Sequence, residues 1–220
     1  MRAYLLPIRS ARGIAAGAHS AELDALLASD DADTIGSAHA VRATILLSER
    51  DADTARQEAL ASALSSRMNA PVAWPTAARA ALWMARPDLA RGDLTALEQT
   101  AARGPLITLH RTVTEAGISA LEGRVAEAIV AYGQATDGAR QEGLPVLEAY
   151  AAIDMAMLLD ASAPQVQAAA KRAREVLGGL QAQRLLEILE DALARSRDTP
   201  VQSASGRAGA DRREPLAERS

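Results

Sequence analysis

The chain has 220 residues, of which 49% are hydrophobic but only 2% aromatic, and it contains neither phenylalanine nor cysteine. The lack of cysteine excludes disulfides, thiolate catalysis and Cys-ligated metals, and a net charge of −4 argues against a basic surface for nucleic acid or an anionic membrane. No apolar run approaches the roughly 20 residues of a membrane-spanning helix, and Pro7 and Arg9 interrupt the only apolar patch that could resemble a signal peptide. We therefore expect a cytoplasmic protein.

Helices are predicted along almost the whole chain, from Met1 to about Ala194, because the apolar residues are mostly alanine and leucine. Runs of Val, Ile, Tyr and Thr that would form strands are missing. Short stretches rich in Pro, Gly, Asp and Thr, which are typical of helix ends, separate the helical segments. The predicted breaks are Ser29–Thr34, Arg50–Thr54, Asn69–Pro75, Arg86–Asp93, Arg103–Pro105, Gly143–Pro145, Asp160–Pro164 and Gly178–Gly179.

Two acidic runs, Asp30–Asp33 and Asp51–Asp53, precede predicted helices. They lack the glycine and the distal glutamate of an EF-hand calcium loop. Carboxylates at helix N-termini interact favourably with the helix dipole and with free backbone N–H groups. These runs therefore predict helix starts and not calcium sites.

The predicted helices are short and come in pairs, which favours a solenoid over a globular bundle. If Gly92 and Gly123 occupy equivalent turns, the repeat is 31 residues long, close to the roughly 34 of a tetratricopeptide unit. The predicted repeat domain covers residues 1–195. Its units are 1–33, 34–70, 75–104, 105–143 and 144–195, and a polar, breaker-rich segment at 196–220 is predicted to be a disordered tail.

The stretch from Ile118 to Pro145 resembles the second half of a tetratricopeptide repeat. Gly123 lies at the turn, and Ala128, Tyr132 and Ala135 follow at the offsets that place them on one helical stripe. A similar small-residue stripe occurs in Asp51–Leu64, at Ala55, Ala59 and Ser62. The resemblance implies an all-α fold in which antiparallel helix pairs stack as a right-handed solenoid.

Ser119–Leu193 resembles more particularly the C-terminal repeat arrays of bacterial cyclase–AAA ATPase and LuxR-type signalling proteins. Shared features are the segments EGLP, DMAMLL and LLEILEDAL. The resemblance implies the sensor or regulatory arm of a signalling protein, with an attached effector domain as a possible partner. No Walker motif is present, no cyclase strands are evident, and Ser196–Ser220 does not read as a helix-turn-helix domain, so we expect this chain to be the repeat region alone.

The concave face of such an array is lined by the first helix of each pair. Aligning the repeats on their turn glycines places two strips of side chains on this face, which we predict as the binding surface. The strips are Arg79, Leu82 and Arg86, and His110, Val113 and Thr114. Asp154 lies among apolar neighbours, where an unpaired carboxylate would be costly, so we expect it to face the groove or to pair with an arginine of an adjacent helix.

Residues that could carry chemistry are few. His19, His39 and His110 show no metal-ligand spacing, no serine lies in a nucleophile-elbow motif, and no strand precedes a glycine-rich turn. We therefore predict a non-catalytic interaction module without metal or cofactor, which binds a protein, a peptide or a small ligand in its groove. The alternative is a small all-helical ligand-binding regulator or enzyme, with Asp154, His110 and arginines in an inter-helix pocket.

Overall fold

The computed structural model describes residues 20–198, which form ten helices and, within that range, no strand. The all-α prediction is thus confirmed for this part of the chain. His19 and the rest of 1–19, and 199–220 of the predicted tail, lie outside the described residues. The helices are α1 (Ser20–Leu27), α2 (Ala32–Ser48), α3 (Ala52–Ser65), α4 (Ala70–Trp83), α5 (Pro87–Gln99), α6 (Pro105–Leu121), α7 (Val125–Gln141), α8 (Pro145–Leu158), α9 (Pro164–Gly179) and α10 (Gln183–Asp198).

The two acidic runs are helix starts, as predicted. The side chain of Asp31 accepts a hydrogen bond from the backbone N–H of Thr34 at 2.8 Å, and Asp51 accepts one from Thr54 at 3.1 Å. Each carboxylate therefore satisfies a backbone donor that has no partner inside its own helix. Proline occupies the first turn of five other helices, where its missing N–H costs nothing.

Two predicted features of helix α4 and its successor are wrong. The stretch Asn69–Pro75 is not a break, because α4 begins at Ala70 and continues through Pro75, whose ring is buried. Packing of the alanine face of α4 outweighs the hydrogen bond that proline removes. Gly92 is not a turn residue either; it lies exposed in the middle of α5.

The turns that follow α2, α4 and α6 each contain one residue with a positive φ. These residues are Arg50 (φ 67°), Ala85 (φ 56°) and Gly123 (φ 80°). They are spaced 35 and 38 residues apart, so the repeating unit is longer than the 31 residues predicted from the glycines. This spacing is not visible in the sequence, because only one of the three positions, Gly123, holds glycine, the residue that most readily adopts a positive φ.

Consecutive helices pack on each other, and the even-numbered helices also contact one another in succession. We call α2, α4, α6, α8 and α10 the inner row and α3, α5, α7 and α9 the outer row. Within this row α4 also contacts α8, and α10 contacts α2, so the two ends of the row meet. Arg50 reinforces the second contact by donating hydrogen bonds to the Asp191 carboxylate and to the backbone carbonyl of Glu187.

Small side chains let the helices approach closely. Ala128, Tyr132 and Ala135 are all buried, and so are Ala55, Ala59 and Ser62. Gly117 on α6 faces Leu82 on α4, and a Cβ atom placed there would lie 2.5 Å from a methyl carbon of Leu82. This contact shows why the chain uses alanine and glycine where other helical proteins use larger core residues.

Candidate functional site

Residues of α4 and of the N-terminal halves of α6 and α8 surround a cavity of about 320 Å³ on the inner row. Three apolar side chains, Val72, Leu106 and Val146, flank its mouth and are 57%, 41% and 47% exposed. Arg79 and His110 lie deeper on α4 and α6, and Tyr150 lies deeper on α8. On α6 and α8 the mouth and inner residues are four positions apart, so each pair shares a helix face. We call this space the inner-row cavity.

Arg79 and Asp154 form a buried ion pair beneath the inner-row cavity. The Nε atom of Arg79 donates to one carboxylate oxygen of Asp154 at 3.0 Å, and the indole N–H of Trp83 donates to the other at 2.7 Å. Asp154 is fully buried and Arg79 is 7% exposed. Burial raises the pKa of the Asp154 carboxyl, whereas the charge of Arg79 lowers it. The pair joins α4 to α8 across 75 residues of sequence.

Only one edge of the Arg79 guanidinium is used by this pair. Within residues 20–198, neither of its terminal nitrogens has a hydrogen-bond acceptor, and Arg79 lines the inner-row cavity. Its carbon Cζ lies 4.6 Å from the centre of the Tyr150 ring, in a cation–π arrangement. The side chain is therefore fixed on two sides while its remaining N–H groups stay available to a ligand.

His110 is neutral at physiological pH. Burial lowers the pKa of its imidazole to about 3, and the neighbouring positive charge of Arg79 contributes to that shift. A neutral imidazole offers one hydrogen-bond donor and one acceptor, and no charge. Burial also raises the pKa of the Tyr150 phenol, which keeps it protonated. The inner-row cavity thus contains one cation together with neutral polar groups.

This arrangement supplies binding groups but no activated nucleophile. Both oxygens of Asp154 accept hydrogen bonds from side chains, so the carboxylate is not oriented toward a substrate proton. The hydroxyl of Thr76, which also lines the cavity, donates to the backbone carbonyl of Val72 at 3.0 Å.

The structure brings some of the predicted groove residues together and separates others. Arg79 and His110 line the same cavity, with Asp154 below them. Leu82, Val113 and Thr114 are buried among the helices and do not line the inner-row cavity, although Leu82 lines a separate pocket beside Trp83 and Leu159. Arg86 follows the C-terminal end of α4, away from the inner-row cavity, and pairs with Asp88 at 2.7 Å on the surface.

Nine of the eleven residues that line the cavity were missed at the level of sequence, among them Val72, Thr76, Leu106, Val146 and Tyr150. Tyr150 could have been found, because it lies four positions before Asp154 and three to four positions is the spacing of one helix face. Leu106 and Val146 both immediately follow a proline at the first position of a helix. That shared position was a signal of equivalent sites in successive pairs.

The other buried charges tie helices together. Glu148 on α8 is held by Arg140 at 2.8 Å and Arg172 at 3.5 Å, and Asp93 on α5 is held by Arg56 at 2.7 Å. His39 contacts Glu58 at 2.7 Å. Among residues 20–198, no three His, Asp or Glu side chains are grouped so that they could hold a metal ion.

Comparison with known proteins adds no relative. No family model matches the chain, and neither a curated protein nor a solved structure has significant similarity to it. In the described part of the chain, no helix combines the length and apolar character that crossing a membrane would require. Inferences about function therefore depend on the geometry of the inner row.

Proposed function

We propose that this chain is a non-catalytic, tetratricopeptide-like solenoid that binds a ligand or partner on its inner row. The contacts between successive even-numbered helices support a stack of helix pairs, and so do the left-handed turn residues spaced 35 and 38 residues apart. The observation that carries the proposal is the inner-row cavity, which residues of α4, α6 and α8 line together and in which the terminal nitrogens of Arg79 have no acceptor among the described residues.

Such a module acts by changing how its helix pairs are arranged. A ligand in the inner-row cavity touches α4, α6 and α8 together, so it stabilises one relative placement of three pairs. The contact between α10 and α2 is sensitive to the curvature of the same row. A regulatory arm of a bacterial signalling protein would use this change to report ligand binding to an attached effector domain, and a protein or peptide partner would extend over the mouth.

The inner-row cavity opens to solvent, but the cation positioned at its base favours the ligand-binding regulator over a groove that docks only a peptide. A groove that holds only an extended peptide needs no buried cation, because peptides are recognised mainly through side-chain pockets and backbone contacts. Here a buried guanidinium is positioned by an ion pair and an aromatic ring. We therefore place recognition of a small molecule first, and recognition of a larger partner second.

The test uses a variant that fills the mouth of the cavity. Val146→Trp adds an indole at the edge of the inner-row cavity, whereas Val130→Trp adds one on α7, where the side chain is 60% exposed and does not line this cavity. Thermal shift measurements with a panel of small organic acids, amines and neutral compounds compare both variants with the native chain. Circular dichroism verifies that each variant keeps its helices.

We expect at least one compound to raise the melting temperature of the native protein and of the Val130→Trp variant, but not of the Val146→Trp variant. A shift that survives in Val146→Trp would place binding elsewhere. A panel without any stabilising compound would contradict a small-molecule function for the inner row.

A further inference from the structure

The inner-row cavity has an electrostatic preference, and this inference rests on the function proposed above. Among residues 20–198, Arg79 is the only charged residue that lines it, and no aspartate or glutamate does. The first turns of α6 and α8 contribute to the same end of the cavity, and neither helix has a side-chain cap there. Uncapped N-terminal N–H groups carry partial positive charge.

The second observation is the orientation of Arg79 itself. Its side chain is buried and lines the cavity, yet its two terminal nitrogens have no acceptor among the described residues. Neither nitrogen is a buried atom without a partner, so both reach solvent in the cavity, where a carboxylate could replace water with charge-assisted hydrogen bonds. The two terminal nitrogens form a planar edge, which matches the two oxygens of a carboxylate.

The mouth of the cavity indicates the polarity of the remainder of the ligand, and the cavity volume indicates its size. Of the eight large hydrophobic side chains that are exposed in the described part of the chain, three (Val72, Leu106 and Val146) flank this one opening. Clustered apolar exposure of this kind marks a binding surface. The volume of about 320 Å³ lies at the lower end of the roughly 300–1,000 Å³ typical of small-molecule pockets, so the ligand is small.

The limited positive charge at the base of the inner-row cavity favours a ligand with a single negative charge. Asp154 already balances part of the charge of Arg79, and His110 is neutral. A doubly charged phosphate would lack a second cation, and a sugar would leave the apolar mouth without a partner. A neutral alcohol would leave the planar edge of the guanidinium half satisfied.

We propose that the inner-row cavity binds a small free monocarboxylic acid with an apolar chain, whose carboxylate pairs with the terminal nitrogens of Arg79 and whose chain contacts Val72, Leu106 and Val146.

Octanoate is the probe, and 1-octanol is its neutral counterpart of the same chain length. Isothermal titration calorimetry with the full chain should show octanoate binding with a Kd below about 1 mM and 1-octanol binding at least about tenfold more weakly. Val146→Trp should weaken octanoate binding by about tenfold or more, and Val130→Trp should leave it unchanged. Arg79→Lys keeps the charge beside Asp154 but removes the planar edge, and should reduce the preference for octanoate over 1-octanol.

The outcomes separate this inference from the proposed function. Equal binding of octanoate and 1-octanol, both lost in Val146→Trp, would overturn the carboxylate and leave a ligand-binding cavity. Octanoate binding that Val146→Trp does not alter would overturn both. Absence of octanoate binding would overturn the proposal of a carboxylate ligand. The thermal shift measurements with the compound panel would then decide whether the cavity binds a small molecule at all. If Arg79→Lys fails to fold, the comparison of the two probes on the native chain still decides the matter.

Discussion

His110 should make the protein lose stability as the pH falls. The pKa of its imidazole is about 3 in the folded chain, against an ordinary value of 6.5 that applies when the chain is unfolded. Below pH 6.5 the unfolded chain therefore binds a proton that the folded chain rejects. Stability falls from pH 6.5 down to about pH 3, because protonation favours the unfolded state over that interval.

The size of the effect at pH 5 depends mainly on the unfolded state. The folded ring is still neutral at that pH, so the loss reflects the 1.5 pH units below the unfolded pKa, or about 2 kcal/mol. The groups that face His110 do not offset this loss. Arg79 opposes a second positive charge, Tyr150 is neutral, and no carboxylate in the described part of the chain lines the cavity.

Replacement of His110 by Gln removes the titrating group while keeping a side chain that can donate and accept hydrogen bonds. Urea unfolding curves at pH 7, 6 and 5 should show that the native protein loses about 2 kcal/mol more than the His110→Gln variant over this range. His39→Gln controls for loss of an imidazole elsewhere in the chain. Parallel pH dependences for the native and His110→Gln proteins would refute the reasoning, and so would an equal effect of His39→Gln.

Urea unfolding at pH 7 tests three further expectations. Gly117→Ala should lower the free energy of unfolding by about 1–3 kcal/mol, because the new methyl would overlap the buried Leu82 of α4. Gly92→Ala, which has open space around it, should raise stability by about 0.5–1 kcal/mol. Equal effects of the two substitutions would contradict close packing of α6 on α4. Tyr132→Phe removes a buried hydroxyl that has no partner among residues 20–198, so stability should be unchanged or rise by up to about 1 kcal/mol. A clear loss of stability would show that the hydroxyl makes a hydrogen bond. Asp154→Ala leaves a guanidinium buried and unpaired, which should cost about 3–5 kcal/mol; a loss below about 1 kcal/mol would show that the pair contributes little.

Local chemistry made most of the helices predictable. Asp31 and Asp51 each lie three residues before a threonine and accept a hydrogen bond from its backbone N–H. This spacing of aspartate and threonine is visible in the sequence. Pro164, the last residue of the predicted break Asp160–Pro164, is the first residue of α9. Prediction failed where packing decides the outcome: the break expected at Asn69–Pro75 is helical, because the alanine face of α4 is buried against its neighbours. Intrinsic helix propensity does not include the free energy of this packing.

The candidate site was only partly predictable. Arg79, His110 and Asp154 were each chosen from the sequence, but for separate reasons, and nothing local relates residues 75 positions apart. The period taken from Gly92 placed Arg86 and Leu82 beside Arg79 on a groove. In the structure Leu82 is buried and Arg86 is a surface residue, because the turn residue of that pair is Ala85. An error in the repeat period therefore became an error in the binding surface.

The Arg79–Asp154 pair connects the stability of the fold with recognition by the cavity. Asp154 holds the guanidinium by one edge, which positions the other edge and limits the charge available to a ligand. A carboxylate bound at the terminal nitrogens of Arg79 would share this cation with Asp154. The two carboxylates repel each other, and the repulsion is smaller the further apart they lie. Asp154 is fixed by Trp83 as well as by Arg79, and the ligand is held at the mouth by apolar contacts. The affinity for an acid should therefore depend on its chain at least as strongly as on its charge.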